Sequence, residues 1–196
     1  VSRSADMTFV SFAPLTSDWK TALDDIRGVA HAVSDAVYEK LTNVRGAFST
    51  KLLYVSARRN QRNQFRYSLL TSDIDGARER VILDQSEPIM TPAWSPDGQN
   101  IAYVSFESRR PAVYIQNLRN NKRKRVTYYK GINGAPSWSP DGRKLALVLS
   151  KDGSPDIYVL DVRANKIKRI TRHFAIDTEP SWMPDGKSLV FTSDRG

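Results

Sequence analysis

Pro92-Ala93-Trp94-Ser95-Pro96-Asp97-Gly98 decides the fold, because it returns as Pro136-Ser137-Trp138-Ser139-Pro140-Asp141-Gly142 and again as Pro180-Ser181-Trp182-Met183-Pro184-Asp185-Gly186. The tryptophans stand 44 residues apart both times. Ile101, Leu145 and Leu189 share one column, and Tyr103, Leu147 and Phe191 share another. Pro111 matches Pro155, Tyr114 matches Tyr158, and Val126-Thr127 matches Ile170-Thr171. Agreement over so long a frame is a repeat.

Each unit reads as short strands. Residues before proline avoid the helical region, so the segment up to Trp94 is expected to be extended. Ser95-Pro96-Asp97-Gly98 is a tight turn, with serine at its first position, proline presetting φ at the second and glycine closing it. Asn100 to Phe106, Ala112 to Asn117 and Lys124 to Tyr128 then supply three more strands. Four strands in about 40–45 residues mark a propeller blade. An earlier, degenerate blade has Gly46-Ala47-Phe48 at the place of the first strand, followed by Leu52 to Ser56, Leu69-Leu70 and Val81-Ile82-Leu83. The expectation is a mainly β chain of about three and a half propeller blades over residues 46–196. Rings take roughly 4 to 8 blades, so the chain is expected to be a piece of a longer protein.

Residues 1–45 differ. Met7 to Phe12 reads as a strand, Pro14 to Ser17 as a break, and Ser17 or Asp18 as the cap of a helix reaching about Leu41. Leu23, Ile26, Val29, Ala30, Val33, Val37 and Leu41 form its apolar stripe. Gly28 inside it costs roughly 1 kcal/mol against alanine, which packing of the stripe is expected to offset. This segment reads as the C-terminal part of a small α/β domain.

Composition excludes some classes. The 196 residues contain no cysteine, which removes disulfides and thiolate chemistry. No apolar run reaches the length of a membrane-spanning helix, and Val1 to Asp6 does not read as a secretory signal. The net charge of +9 favours acidic partners or anionic surfaces.

Ser34-Asp35-Ala36-Val37-Tyr38-Glu39-Lys40-Leu41-Thr42-Asn43-Val44-Arg45-Gly46-Ala47-Phe48 narrows the field. A helix ending in Glu39-Lys40-Leu41-Thr42, with Gly46-Ala47-Phe48 opening the first blade, resembles the domain junction of the TolB family of the Tol-Pal cell envelope system. Pro92 to Glu107, Asn133 to Pro140 and Thr178 to Trp182 resemble its consecutive blades. The resemblance implies an N-terminal α/β domain, a six-bladed propeller when complete, and a place in the periplasm, with the signal peptide outside this chain. It implies binding of the peptidoglycan-associated lipoprotein Pal and inner-membrane Tol proteins, and so outer membrane integrity and invagination during cell division. The repeat alone is shared with the propellers of prolyl oligopeptidase-like serine peptidases, which leaves open a peptidase whose catalytic domain lies elsewhere.

No catalytic, cofactor or metal-binding residue is expected. Asp97, Asp141 and Asp185 are turn formers on separate blades. Gly186-Lys187-Ser188 lacks the earlier glycine of a phosphate loop. His31 and His173 have no second ligand at metal spacing. Arg119 to Lys130 and Arg163 to Arg172 are basic runs on outer edges, where charge discourages edge pairing. Nucleic acid is therefore not the expected partner, and a weak attraction to anionic envelope surfaces is. The candidate partner-binding residues precede the inner strands: Ile89, Met90 and Thr91; Ile132, Asn133, Gly134 and Ala135; Asp177, Thr178 and Glu179. In a propeller these loops surround one mouth of the central channel, which is where the resemblance places Pal.

Overall fold

The computed structural model describes residues 25–196. Met7 to Phe12, Pro14 to Ser17, Asp18 and Leu23 lie outside the described residues. The chain divides into two compact units between Thr50 and Lys51.

In the first unit, helix α1 (Ile26–Thr42) starts later than expected. Asp25 sits at φ −124° and ψ 39°, outside the helix, and its carboxylate accepts the Gly28 N–H at 3.0 Å. This is an aspartate N-cap. A Cβ at Gly28 would collide with the Asp25 carboxylate, which constrains that position. No residue of α1 is buried in this chain. Asn43 ends the helix at φ 56°, its N–H bonded to Glu39 O at 2.8 Å. Gly46-Ala47-Phe48 forms no strand, a second correction. The Phe48 and Ser49 N–H groups donate to the Asp35 carboxylate at 2.6 and 2.9 Å, and Thr50 N–H bonds Ala47 O at 3.2 Å. Donors that a ladder would need are spent on a turn.

The second unit is built from four antiparallel sheets in chain order. The first contains β1 (Lys51–Arg59), β2 (Phe65–Asp73) and β3 (Arg80–Gln85), one strand short because residues 46–50 turn. The second contains β4 (Ile89–Trp94), β5 (Asn100–Ser105), β6 (Ala112–Asn117) and β7 (Arg123–Arg125). The third contains β8 (Asn133–Trp138), β9 (Lys144–Leu149), β10 (Asp156–Asp161) and β11 (Lys166–Arg169), and the last β12 (Asp177–Trp182) and β13 (Leu189–Ser193). The fold is a partial β-propeller, mainly β.

Strand periodicity sends adjacent residues into different cores. Ile101 and Tyr103 of β5 join Leu69, Ala112 and Tyr114 between the first and second sheets. Ala102 and Val104 of the same strand join Leu145, Leu147, Leu149 and Tyr158 between the second and third. A strand covered on both faces has no solvent side, which is why β5 and β9 read as continuous apolar runs. The outer strand β7 is shorter than expected, stopping at Arg125. Val126 and Thr127 N–H groups both turn to Val113 O, at 2.8 and 3.4 Å, and the Thr127 hydroxyl accepts the Val113 N–H at 3.2 Å.

The repeated turns form as read. Gly98 N–H bonds Ser95 O at 2.9 Å, with Gly98 at φ 65°, a conformation suited to glycine. The Asp97 carboxylate accepts the Ser95 hydroxyl at 2.5 Å and the Gln99 N–H at 3.0 Å. Asp141 does the same with Ser139 and Arg143. Asp185 accepts the Lys187 and Ser188 N–H groups, Met183 having no hydroxyl to offer.

Candidate functional site

The inner strand β8 lies beside both β4 and β12, and the candidate residues occupy the start of each of the three. Position in the repeat decides which side chains face outward. Ile89, Asn133 and Asp177 share a column and are all buried. Asn133 holds its connector by accepting the Tyr129 N–H at 2.9 Å and donating to Tyr129 O at 2.8 Å and Gly131 O at 3.2 Å. Asp177 is bridged by Arg195, and its N–H bonds Pro155 O at 2.9 Å. Burial works against its charge, but the nearby Ser193 and Thr171 side chains and the Arg195 charge together hold the carboxyl below the usual aspartate range. Met90, Thr91, Ile132 and Glu179 are exposed, with Gly134, Ala135 and Thr178 half-buried beside them.

A backbone feature unites the three strands. Thr91, Ala135 and Glu179, each preceding a proline, have φ of 44°, 46° and 51°. The ladder register shifts at the same place in each, between Met90 and Ala93, Gly134 and Ser137, and Thr178 and Ser181. This corrects the expectation of an extended pre-proline segment. Proline removes a ladder donor, and the strand takes up the irregularity as a β-bulge, which bends it and re-aims its side chains.

The connectors are pinned to the ends of the second strands. Ile132 N–H donates to Ser150 Oγ at 2.7 Å, and Ile176 N–H to Asp194 Oδ1 at 2.6 Å. Gly131, at φ 83°, leaves room for Ser150 Oγ, which a Cβ would strike. His173 accepts the Ala175 N–H on Nδ1 at 3.1 Å and lies against Phe174, so its ring shapes the connector. Among the described residues, no group of three or more histidine, cysteine or acidic side chains could hold a metal ion. No helix among them is long and apolar enough to cross a membrane.

The sequence profile of the TolB beta propeller domain matches residues 38–196. The chain belongs to the TolB β-propeller family. Tol-Pal system protein TolB of Pseudomonas putida is 52% identical over 121 residues, which are 62% of this chain and 28% of that protein. The crystal structure of TolB from Acinetobacter baumannii superimposes with a TM-score of 0.81 at 44% identity, covering 88% of this chain and 43% of that one. The chain thus spans less than half the length of these TolB relatives. The acylaminoacyl peptidase of Pyrococcus horikoshii, with a TM-score of 0.52 and 18% identity over 72% of this chain and 26% of its own, shares the fold alone. The Pseudomonas putida relative is named as a Tol-Pal system protein and not as an enzyme.

Two exposed residues of this TolB-family propeller escaped the sequence reading. Ile176 is 49% exposed and occupies the column of Ile132, and Phe174 is 88% exposed in the same connector. The repeat carried the signal for Ile176: the 44-residue offset from Ile132 falls one residue before Asp177.

Proposed function

We propose that this chain belongs to a periplasmic protein-binding propeller of the Tol-Pal system, which binds the lipoprotein Pal and inner-membrane Tol proteins over the mouth formed by its inner strands, and which is not an enzyme. Through that binding it maintains outer membrane integrity and outer membrane invagination during cell division. The observation that carries the reading is the repeated bulge with its pinned connectors, which together set Met90, Ile132, Ile176 and Glu179 at the corresponding ends of three successive inner strands. Exposed apolar residues beside a few polar ones suit an interface in which a small central group carries most of the energy. The family name of the relatives supplies the partner class.

Titration calorimetry tests it. Glu179→Ala and Ile132→Asp should each weaken Pal binding by about 1–2 kcal/mol without lowering the melting temperature. Reversing Lys122 and Lys124, on the outer edge, should leave affinity nearly unchanged apart from a salt-sensitive association rate. Loss of binding in the edge variant with retention in the mouth variants would move the site to another surface.

A further inference from the structure

The internal repeat offers a comparison of the second and third sheets at their outer edges. In the third sheet, Arg169 donates to the buried Asp156 at 2.5 Å and lies 4.0 Å from Asp152. Asp152 also accepts the Tyr158 hydroxyl at 2.7 Å and Lys151 Nζ at 2.6 Å. This basic edge is satisfied by its own carboxylates.

Shifted back by one 44-residue repeat, Arg169 becomes Arg125 and Tyr158 becomes Tyr114, but Asp152 becomes Ser108 and Asp156 becomes Ala112. The arginine is kept and both acids are gone. Arg125 Nη1 reaches only the Ser108 hydroxyl, at 3.3 Å, and its guanidinium carbon lies 4.2 Å from the centre of the Tyr128 ring. Arg110 lies over the same ring at 4.4 Å and donates to the Tyr128 hydroxyl at 3.3 Å, which in turn donates to Ser108 O at 3.2 Å. Among the described residues neither Arg110 nor Arg125 forms an ion pair. Glu107, in the same turn, is ion-paired with Arg123 and only within electrostatic reach of Arg125. Two exposed guanidinium groups thus share one aromatic platform and one turn, oriented before any anion arrives.

Their place in the fold matters. Ser105 closes β5 opposite Ile89 at the start of β4, and Phe106 N–H bonds Pro88 O at 3.1 Å. The turn after β5 and the end of β7 therefore lie at the same end of the sheet as Met90 and Thr91. Lys122, before β7, lies at the other end. The basic run that reads in the sequence as a single edge is divided by the strand it contains.

We propose that Arg110 and Arg125, on the Tyr128 platform, form a binding site for a carboxylate side chain of an acidic segment in a partner protein. The third sheet shows which group suits this place, since Asp152 occupies the position of Ser108. The site stands on the repeat comparison and does not require the inner-strand mouth to bind anything.

The test uses the full chain at low ionic strength, with an acetylated and amidated hexaglutamate peptide as probe and the arginine Nε–Hε resonances as readout. The peptide should saturably shift the Arg110 and Arg125 signals. Arg110→Gln with Arg125→Gln should weaken binding about fivefold or more, and Lys122→Gln with Lys124→Gln should change it little. Ser108→Asp, which copies the third sheet, should raise the melting temperature and suppress peptide binding. No binding, or binding indifferent to both Ser108→Asp and the double arginine variant, overturns the proposal. So does displacement of the same signals by inorganic phosphate or phosphatidylglycerol vesicles but not by the peptide, which would make the site one for phosphate. If Ile132→Asp leaves Pal binding intact while Ser108→Asp blocks the peptide, the mouth reading fails and this one stands.

Discussion

Thr91, Ala135 and Glu179 hold positive φ although none is glycine, and Thr91 is β-branched, for which this conformation is rare. An L-residue there costs about 1–2 kcal/mol, while glycine gives up about 0.5–1 kcal/mol more chain entropy on folding. Ala135→Gly removes no functional atoms, so it should stabilise the chain by about 0.5–1 kcal/mol, read from urea melts. Gly131→Ala should do the opposite, losing about 1–2 kcal/mol as its Cβ meets Ser150 Oγ. The turn carboxylates carry a pH signature. The Ser139 hydroxyl and then the Arg143 amide hold Asp141 below the usual aspartate range, and Asp97 is held down by Ser95 and then Gln99. Because the folded-state values are lowered, their stabilisation is present above the ordinary value of about 3.9 and lost as pH falls through the lowered ones. Asp141→Asn should therefore melt below the parent at neutral pH, with the gap closing in acid.

Strand by strand, one repeat column runs through Ala102, Ala146 and Val190. Ala102 and Ala146 are fully buried between sheets. Ala146→Val copies a residue the repeat already uses, yet it should cost about 1–3 kcal/mol by overpacking. Chemical denaturation is the check. The heptapeptide turns, the strand order and the alternating cores were legible because turn chemistry and period-2 burial are local properties. Gly46-Ala47-Phe48 was misread because its fate depends on Asp35, a helix residue more than ten positions earlier that takes the backbone donors of Phe48 and of the adjoining Ser49.

At the scale of the molecule, the candidate site sorts by depth. Asn133 is buried with three hydrogen bonds to its connector, so Asn133→Ala should lower stability by about 1–3 kcal/mol and impair partner binding only through folding. Ile176→Asp, at an exposed position on the neighbouring sheet, should weaken Pal binding by about 1–2 kcal/mol with an unchanged melting temperature. Calorimetry paired with melting curves separates these outcomes. Equal affinity loss with no change in stability for both would mean that the connector itself, and not its exposed side chains, is recognised.

From the residues alone came the repeat, the blade as its unit, the tight turns and the resemblance to TolB, since spacing and turn chemistry are written along the chain. The tertiary structure decided which residues of each blade start face outward, that the pre-proline positions bulge, and that one basic run has its two halves at opposite ends of a sheet. It also decided that Arg169 pairs with its carboxylates while Arg125 forms no ion pair among the described residues, which depends on strands of one sheet lying side by side. The physical reason is common to all four. Exposure, register and charge pairing are set by neighbours distant in sequence, and a linear pattern names the neighbours without measuring the distances between them.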